Sequence, residues 1–172
     1  MSTKGKIYAT FIMAINKIAK KIIKADRQYR NIDDIDLIEI RELKEDYGIE
    51  GIIFDIDGTL IQNMEEITEE NKLLLKILKK EFQIYIISNN KDLRIKKVAE
   101  ELGIKYIPSA KKPSRTPFIN ASKNMGIKPS QIIVIGDEFL TDIWGGKRSG
   151  MHTAIIEKKA KKAKKDKNDR IE

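Results

Sequence analysis

From residue 51 onward, short apolar runs rich in β-branched residues alternate with longer stretches in which apolar positions recur every three or four residues. The runs G-I-I-F-D-I (51–56), Q-I-Y-I-I-S (83–88), I-K-Y-I (104–107), Q-I-I-V-I-G (131–136) and T-A-I-I-E (153–157) read as strands. Their nearly continuous apolar character is that of strands covered on both faces. The stretches between them read as helices with recognisable ends. Thr68 caps T-E-E-N-K-L-L-L-K-I-L-K-K, Asp92 starts D-L-R-I-K-K-V-A-E-E-L before Gly103, and Thr116 with Pro117 opens F-I-N-A-S-K-N-M before Gly126. This alternation predicts an α/β fold: a three-layer, Rossmann-like parallel sheet with helices on both faces.

The flanks have a different pattern. In residues 1–26, Ile7, Phe11, Ile12, Ile15, Ile18, Ala19, Ile22 and Ile23 recur at helical spacing, with Lys17, Lys20, Lys21 and Lys24 between them, which predicts a basic amphipathic helix. The uncharged run between Lys6 and Lys17 is too short for the roughly 20 residues that span a bilayer, and the lysines after it disfavour a signal peptide. Such a helix either lies on an anionic membrane or packs on the domain or a partner. Residues 30–157 carry the predicted domain, and residues 158–172 form a Lys-rich tail.

Composition narrows the picture. With 172 residues, 41% hydrophobic and 35% charged, the chain reads as one globular domain with appendages. The absence of cysteine removes disulfides, thiolate metal sites and cysteine nucleophiles, and it fits a cytoplasmic compartment, with the basic arm as the feature that would make the protein membrane-peripheral. A formal charge of +8 points to an anionic partner.

In an open parallel sheet, ligands bind outside the carboxyl ends of the strands. Those ends hold Asp55 and Asp57, then Ser88, Asn89 and Asn90, then Lys111 and Lys112, then Asp137, Glu138, Thr141 and Asp142. Asp55 and Asp57, two apart in an extended chain, face the same side, and Gly58 lets the chain turn away. Two neighbouring carboxylates need a cation between them or a proton on one. Mg²⁺, a hard cation with oxygen ligands, meets the first need with Asp137 as a further ligand. A general acid at Asp57 meets the second. The set suits phosphoryl transfer: Asp55 as nucleophile, Asp57 as acid and then base, Ser88 and Asn89 as phosphate donors, and Lys112 as the cation, with Lys111 beside it as the other candidate.

These residues resemble a known family. F-D-I-D-G-T-L, S-N-N, K-P after the third strand and G-D-E-x-x-T-D are similar to the four motifs of the haloacid dehalogenase-like (HAD) phosphatases. G-D-E-F-L-T-D-I-W-G-G-K-R-S-G-M, A-K-K-P-S and the approach N-I-D-D-I-D-L-I-E-I-R-E-L-K-E-D-Y-G-I-E-G resemble the YqeG group of subclass IIIA, whose relatives include mitochondrial-type phosphatidylglycerophosphatases. The resemblance covers residues 30–157. It implies nucleophile Asp55, acid/base Asp57, phosphate-binding Ser88 and Lys112, and Mg²⁺ ligands Asp55, Asp137 and the backbone carbonyl of Asp57. Asp142 then supports the metal or Lys112 from behind. Two positions depart from the group: Gly58 stands where it usually has Asn, and Glu138 where Gln is frequent.

The short spacings from Asp57 to Ser88 and from Ser88 to Lys112 leave no room for a cap domain. An uncapped site suits large or surface-presented substrates. The reading is therefore a Mg²⁺-dependent phosphomonoesterase acting on phosphatidylglycerophosphate, with residues 1–24 on an anionic membrane. Nucleic-acid ends, glycans and small molecules are the alternative substrates. A phosphoacceptor signalling module is excluded because Y-I-P-S-A-K-K, after the third strand, holds no acid. A basic nucleic-acid-binding module is disfavoured, since no run of aromatics accompanies the lysines. His152 and Trp144 read as packing residues.

Overall fold

The computed structural model describes residues 14–15, 17–61, 66–91 and 93–157. Most of the predicted amphipathic arm up to residue 13, the helix start at Asp92 and the tail 158–172 lie outside the described residues. Six strands form one sheet: β1 (Arg27–Tyr29), β2 (Gly51–Phe54), β3 (Gln83–Ile87), β4 (Lys105–Ile107), β5 (Ile132–Gly136) and β6 (His152–Ile156). Their order is β1-β6-β5-β2-β3-β4, and every neighbouring pair is parallel. The chain moves outward from β2 through β3 to β4, then returns to the other side of β2 to lay down β5 and β6. The crevice beyond the carboxyl ends of β2 and β5 is thus the topological switch point.

Alternation along the strands sorts the core into two faces. Ile52, Phe54, Ile84, Ile86, Ile133 and Ile135 pack with residues of α1 (Leu37–Glu45), α2 (Glu69–Glu81) and α3 (Leu93–Leu102). Ile53, Tyr85, Ile87, Ile132 and Val134 pack instead with Phe118, Ala121 and Met125 of α4 (Arg115–Met125). The result is the predicted three-layer arrangement. Fully burying a side chain such as Phe54 or Phe118 contributes about 1.5–3 kcal/mol each. Between β2 and β3, and between β3 and β4, the described chain holds only a turn and one helix, so no cap domain is inserted there.

Local chemistry explains the helix ends. Thr68 caps α2, its hydroxyl accepting from the Asn71 N–H at 3.2 Å. The cap of α4, however, is Ser114 and not Thr116: its Oγ accepts from the Thr116 N–H at 3.4 Å. Pro117 then occupies the first turn, where the missing N–H has no helical acceptor to lose.

Two elements lie outside the apolar pattern. Helix α1 begins at Asp36, whose carboxylate accepts from the N–H groups of Ile38 at 2.9 Å and Glu39 at 3.0 Å. Strand β1, R-Q-Y, is short and polar, and it is held at the sheet edge by specific partners. Arg27 pairs with Glu39 at 2.7 Å, and the Tyr29 hydroxyl donates to the same carboxylate. Asp26 accepts from the Thr153 N–H at 2.8 Å and Oγ1 at 3.0 Å and pairs with Lys147 at 2.7 Å.

Burial raises the Asp26 carboxyl, but Lys147 and the Thr153 donors outweigh it and hold the group below its ordinary value. A depressed folded value contributes stability above the unfolded value of 3.8 that is lost as pH falls through the folded one. Because Asp26 is partly exposed, Asp26→Ala is expected to cost about 1 kcal/mol at pH 7. Denaturant melts across pH should show the gap between wild type and variant closing in acid.

Candidate active site

The Asp55 N–H still donates to the Ile135 carbonyl at 2.9 Å, so the sheet ladder fixes the backbone of this aspartate against β5. The chain then folds into a tight turn in which the Ile56 carbonyl accepts from Leu60 at 3.0 Å and Ile61 at 2.8 Å. Gly58 is required there twice over. Its φ of +84° lies in the left-handed region, and a Cβ would sit 2.1 Å from Asp137 Oδ2. Asp137, arriving from β5, therefore packs directly on the turn that carries Asp57.

Three consecutive residues after β3 each take a different partner. The Ser88 hydroxyl, almost fully buried at the cavity wall, accepts from the Asn90 N–H at 3.1 Å. Asn89, expected as a phosphate donor, has its side chain committed elsewhere: Oδ1 accepts from the Lys112 N–H at 2.7 Å, and Nδ2 donates to the Lys112 carbonyl at 3.2 Å. Its amide staples the loop after β4. Asn90, which the sequence set at the strand end without a role of its own, donates from Nδ2 to Asp57 Oδ2 at 2.7 Å. The doubled asparagine was the only sequence signal for either role.

Of the two adjacent lysines, Lys112 enters the site and Lys111 stays exposed. The Lys112 ammonium, 4% exposed, donates to Asp55 Oδ1 and Asp142 Oδ1, both at 2.6 Å. Asp142 comes from a single wide π-helical turn, Phe139–Ile143, an irregularity frequent at functional sites. Its second oxygen accepts from the Glu138 N–H at 3.1 Å. The close approach needs Gly136, where a Cβ would meet Asp142 Cγ at 2.4 Å.

The electrostatics of this cluster are short of positive charge. Burial is the main influence on Asp55 and, with Asp142 and Asp137 adding to it, pushes the carboxyl up to about 7 despite Lys112. Burial alone would lower Lys112, but Asp142 and Asp55 overcome it and hold the ammonium above its ordinary range. Asp55, Asp137 and Asp142 offer oxygens all within 4.8 Å of one another. This all-oxygen set fits a hard divalent cation. Since both Asp142 oxygens already serve Lys112 and Glu138, Asp55 and Asp137 are the carboxylates suited to hold it, with Asp142 behind them.

These side chains, with Glu138 and Thr141, line an open cavity of about 310 Å³. The two residues expected only to pack lie outside it. His152 makes an edge contact with Tyr47, whereas Trp144 departs from expectation: it is 39% exposed, with Arg148 over its ring at 5.8 Å.

A switch-point crevice with an acidic cluster, a buried lysine and a serine is the arrangement of the haloacid dehalogenase-like hydrolases, whose family model matches residues 72–150. The chain belongs to this family and is a phosphatase within it. It is similar to "Probable phosphatase YqeG" of Bacillus subtilis, with 34% identity over 145 residues, 80% of this chain and 78% of that protein. A glyceraldehyde 3-phosphate phosphatase of Methanopyrus kandleri is 36% identical over 59 residues, 34% of this chain and 23% of its own. A HAD-family enzyme of Bacteroides thetaiotaomicron, solved as a magnesium complex, shares the fold with a TM-score of 0.53 and 17% identity, covering 67% of this chain and 97% of that one.

Gly58→Ala should displace the Asp137 carboxylate and weaken the binding of a divalent cation about tenfold or more, as measured by calorimetry with Mg²⁺ as the probe. An unchanged affinity would mean that Asp137 does not hold the cation.

Proposed function

We propose that the chain is a Mg²⁺-dependent phosphomonoesterase that works through an aspartyl-phosphate on Asp55, with phosphatidylglycerophosphate as its substrate. The observation that carries the chemistry is the Lys112 ammonium bridging Asp55 and Asp142 beside Asp57 and Ser88. Mg²⁺ held by Asp55, Asp137 and the Asp57 carbonyl would neutralise phosphate charge next to the nucleophile. Lys112 and the Ser88 hydroxyl bind phosphate oxygens and stabilise the charge that spreads over them. Asp55 attacks phosphorus; the bond to the ester oxygen breaks with its electron pair on that oxygen, and Asp57 supplies the proton. Asp57, now a carboxylate, takes a proton from the water that cleaves the aspartyl-phosphate, which releases phosphate and restores both acids.

Three observations support a lipid substrate. Among the described residues no cap domain encloses the cavity, so a headgroup on a surface can reach it. The helical backbone over 17–22 buries Ala19 but leaves Ile18 59% and Ile22 75% exposed among exposed lysines. Lys20 lies 5.9 Å from the ring of Phe139, next to Glu138 of the cavity, which sets this basic, apolar face beside the rim. Among the described residues, no helix is long and apolar enough to cross a membrane. A small phosphorylated molecule is the second reading, favoured by the similarity to a glyceraldehyde 3-phosphate phosphatase.

Asp55→Asn is expected to reduce Mg²⁺-dependent phosphate release by about three orders of magnitude or more. In a side-by-side assay, phosphatidylglycerophosphate in vesicles should be hydrolysed far faster than glyceraldehyde 3-phosphate or an oligonucleotide phosphate. The reverse ranking would overturn the lipid assignment. Separately, Ile18→Glu with Ile22→Glu should abolish sedimentation with phosphatidylglycerol vesicles and leave turnover of a water-soluble ester unchanged.

A further inference from the structure

We infer that Asn90 is a positioning residue for the proton-transfer step: its side-chain amide aims the Asp57 carboxylate at the ester oxygen that leaves. The inference rests on the phosphomonoesterase reading and adds to it a residue and a step. Asn90 is itself fixed at both backbone ends, its N–H donating to Ser88 Oγ at 3.1 Å and its carbonyl accepting from the Ser109 N–H at 3.1 Å. From that anchored backbone Nδ2 reaches Asp57 Oδ2 at 2.7 Å, across 33 positions of sequence. Asp55 faces an ammonium, which suits a group that attacks as an anion. At Asp57, Oδ2 accepts from the Asn90 amide, which restricts the rotation of the carboxylate.

General-acid catalysis requires the donor to lie within hydrogen-bond reach of the leaving oxygen. Asp57 is only half-buried and leads into the glycine-containing turn, and the Asn90 amide fixes one of its carboxylate oxygens there. The segment Ser88–Asn90 then acts as one aligning unit: Ser88 for the phosphate, Asn89 for the Lys112 backbone and Asn90 for Asp57.

The need for this alignment depends on the leaving group. An alkoxide must be protonated as the P–O bond breaks, whereas a nitrophenolate departs as a stable anion. The test compares kcat/KM of wild type and Asn90→Ala on an alkyl phosphate and on p-nitrophenyl phosphate with saturating Mg²⁺, because kcat/KM reports the steps up to formation of the aspartyl-phosphate. The alkyl ester should lose about tenfold or more while the aryl ester loses less than about threefold. Asn90→Asp, which replaces the donor with an acceptor, should show the same selective loss, and Mg²⁺ affinity and melting temperature should stay at wild-type values in Asn90→Ala. Equal losses on both esters, or no loss on the alkyl ester, would overturn the positioning role and leave the phosphatase reading standing. A wild-type protein that cleaves neither ester would overturn both.

Discussion

The rest of the site depends on one buried ammonium. Lys112 sits between Asp55 and Asp142 at 2.6 Å from each, out of contact with bulk water. Taking charges out of water is unfavourable unless the geometry is good, and removing one partner from such a cluster costs about 3–5 kcal/mol. The neighbouring irregularities follow from this constraint. Asn89 clamps the Lys112 backbone, Gly136 lets Asp142 come close, and the π-helical turn widens the backbone so that Asp142 and the Glu138 N–H meet. Burial, with the charges of Asp142 and Asp137 adding to it, pushes Asp55 up to about 7 despite Lys112, and the excess of negative charge is why a divalent cation suits the place.

The sheet delivers these groups without long loops. β2 and β5 run in step, with Phe54 beside Ile135, so Asp55 and Asp137 emerge within a residue of each other at the switch point. Gly58 then allows Asp137 to lie directly against the turn that carries Asp57. The exposed basic face of the amino-terminal helix beside Phe139 would present this rim to an anionic surface.

Much of this was legible in the chain. Buried strands with continuous apolar runs, helices ended by glycine, and acids at strand ends are signals that burial and backbone sterics impose directly. What escaped the pattern depends on contacts distant in sequence. β1 is a three-residue polar strand that exists because Ala154 to Ile156 offer it a ladder, Glu39 binds its Arg27 and Tyr29 side chains, and Thr153 holds the adjoining Asp26. The α4 cap falls on Ser114 because a proline in the first turn costs nothing there. Asn89 and Asn90 are indistinguishable as letters, and only the folded geometry assigns one to Lys112 and the other to Asp57. Trp144, read as packing, is held near the surface by its approach to Arg148.

The central claim is that Asp55 forms a covalent bond to phosphorus. Quenching a single turnover with borohydride, which reduces an aspartyl-phosphate to homoserine, followed by mass spectrometry of the peptide containing Asp55, tests it most directly. The account predicts homoserine at position 55, dependent on Mg²⁺ and substrate. Substrate turnover with position 55 left as aspartate, or with the modification on another residue, would contradict it.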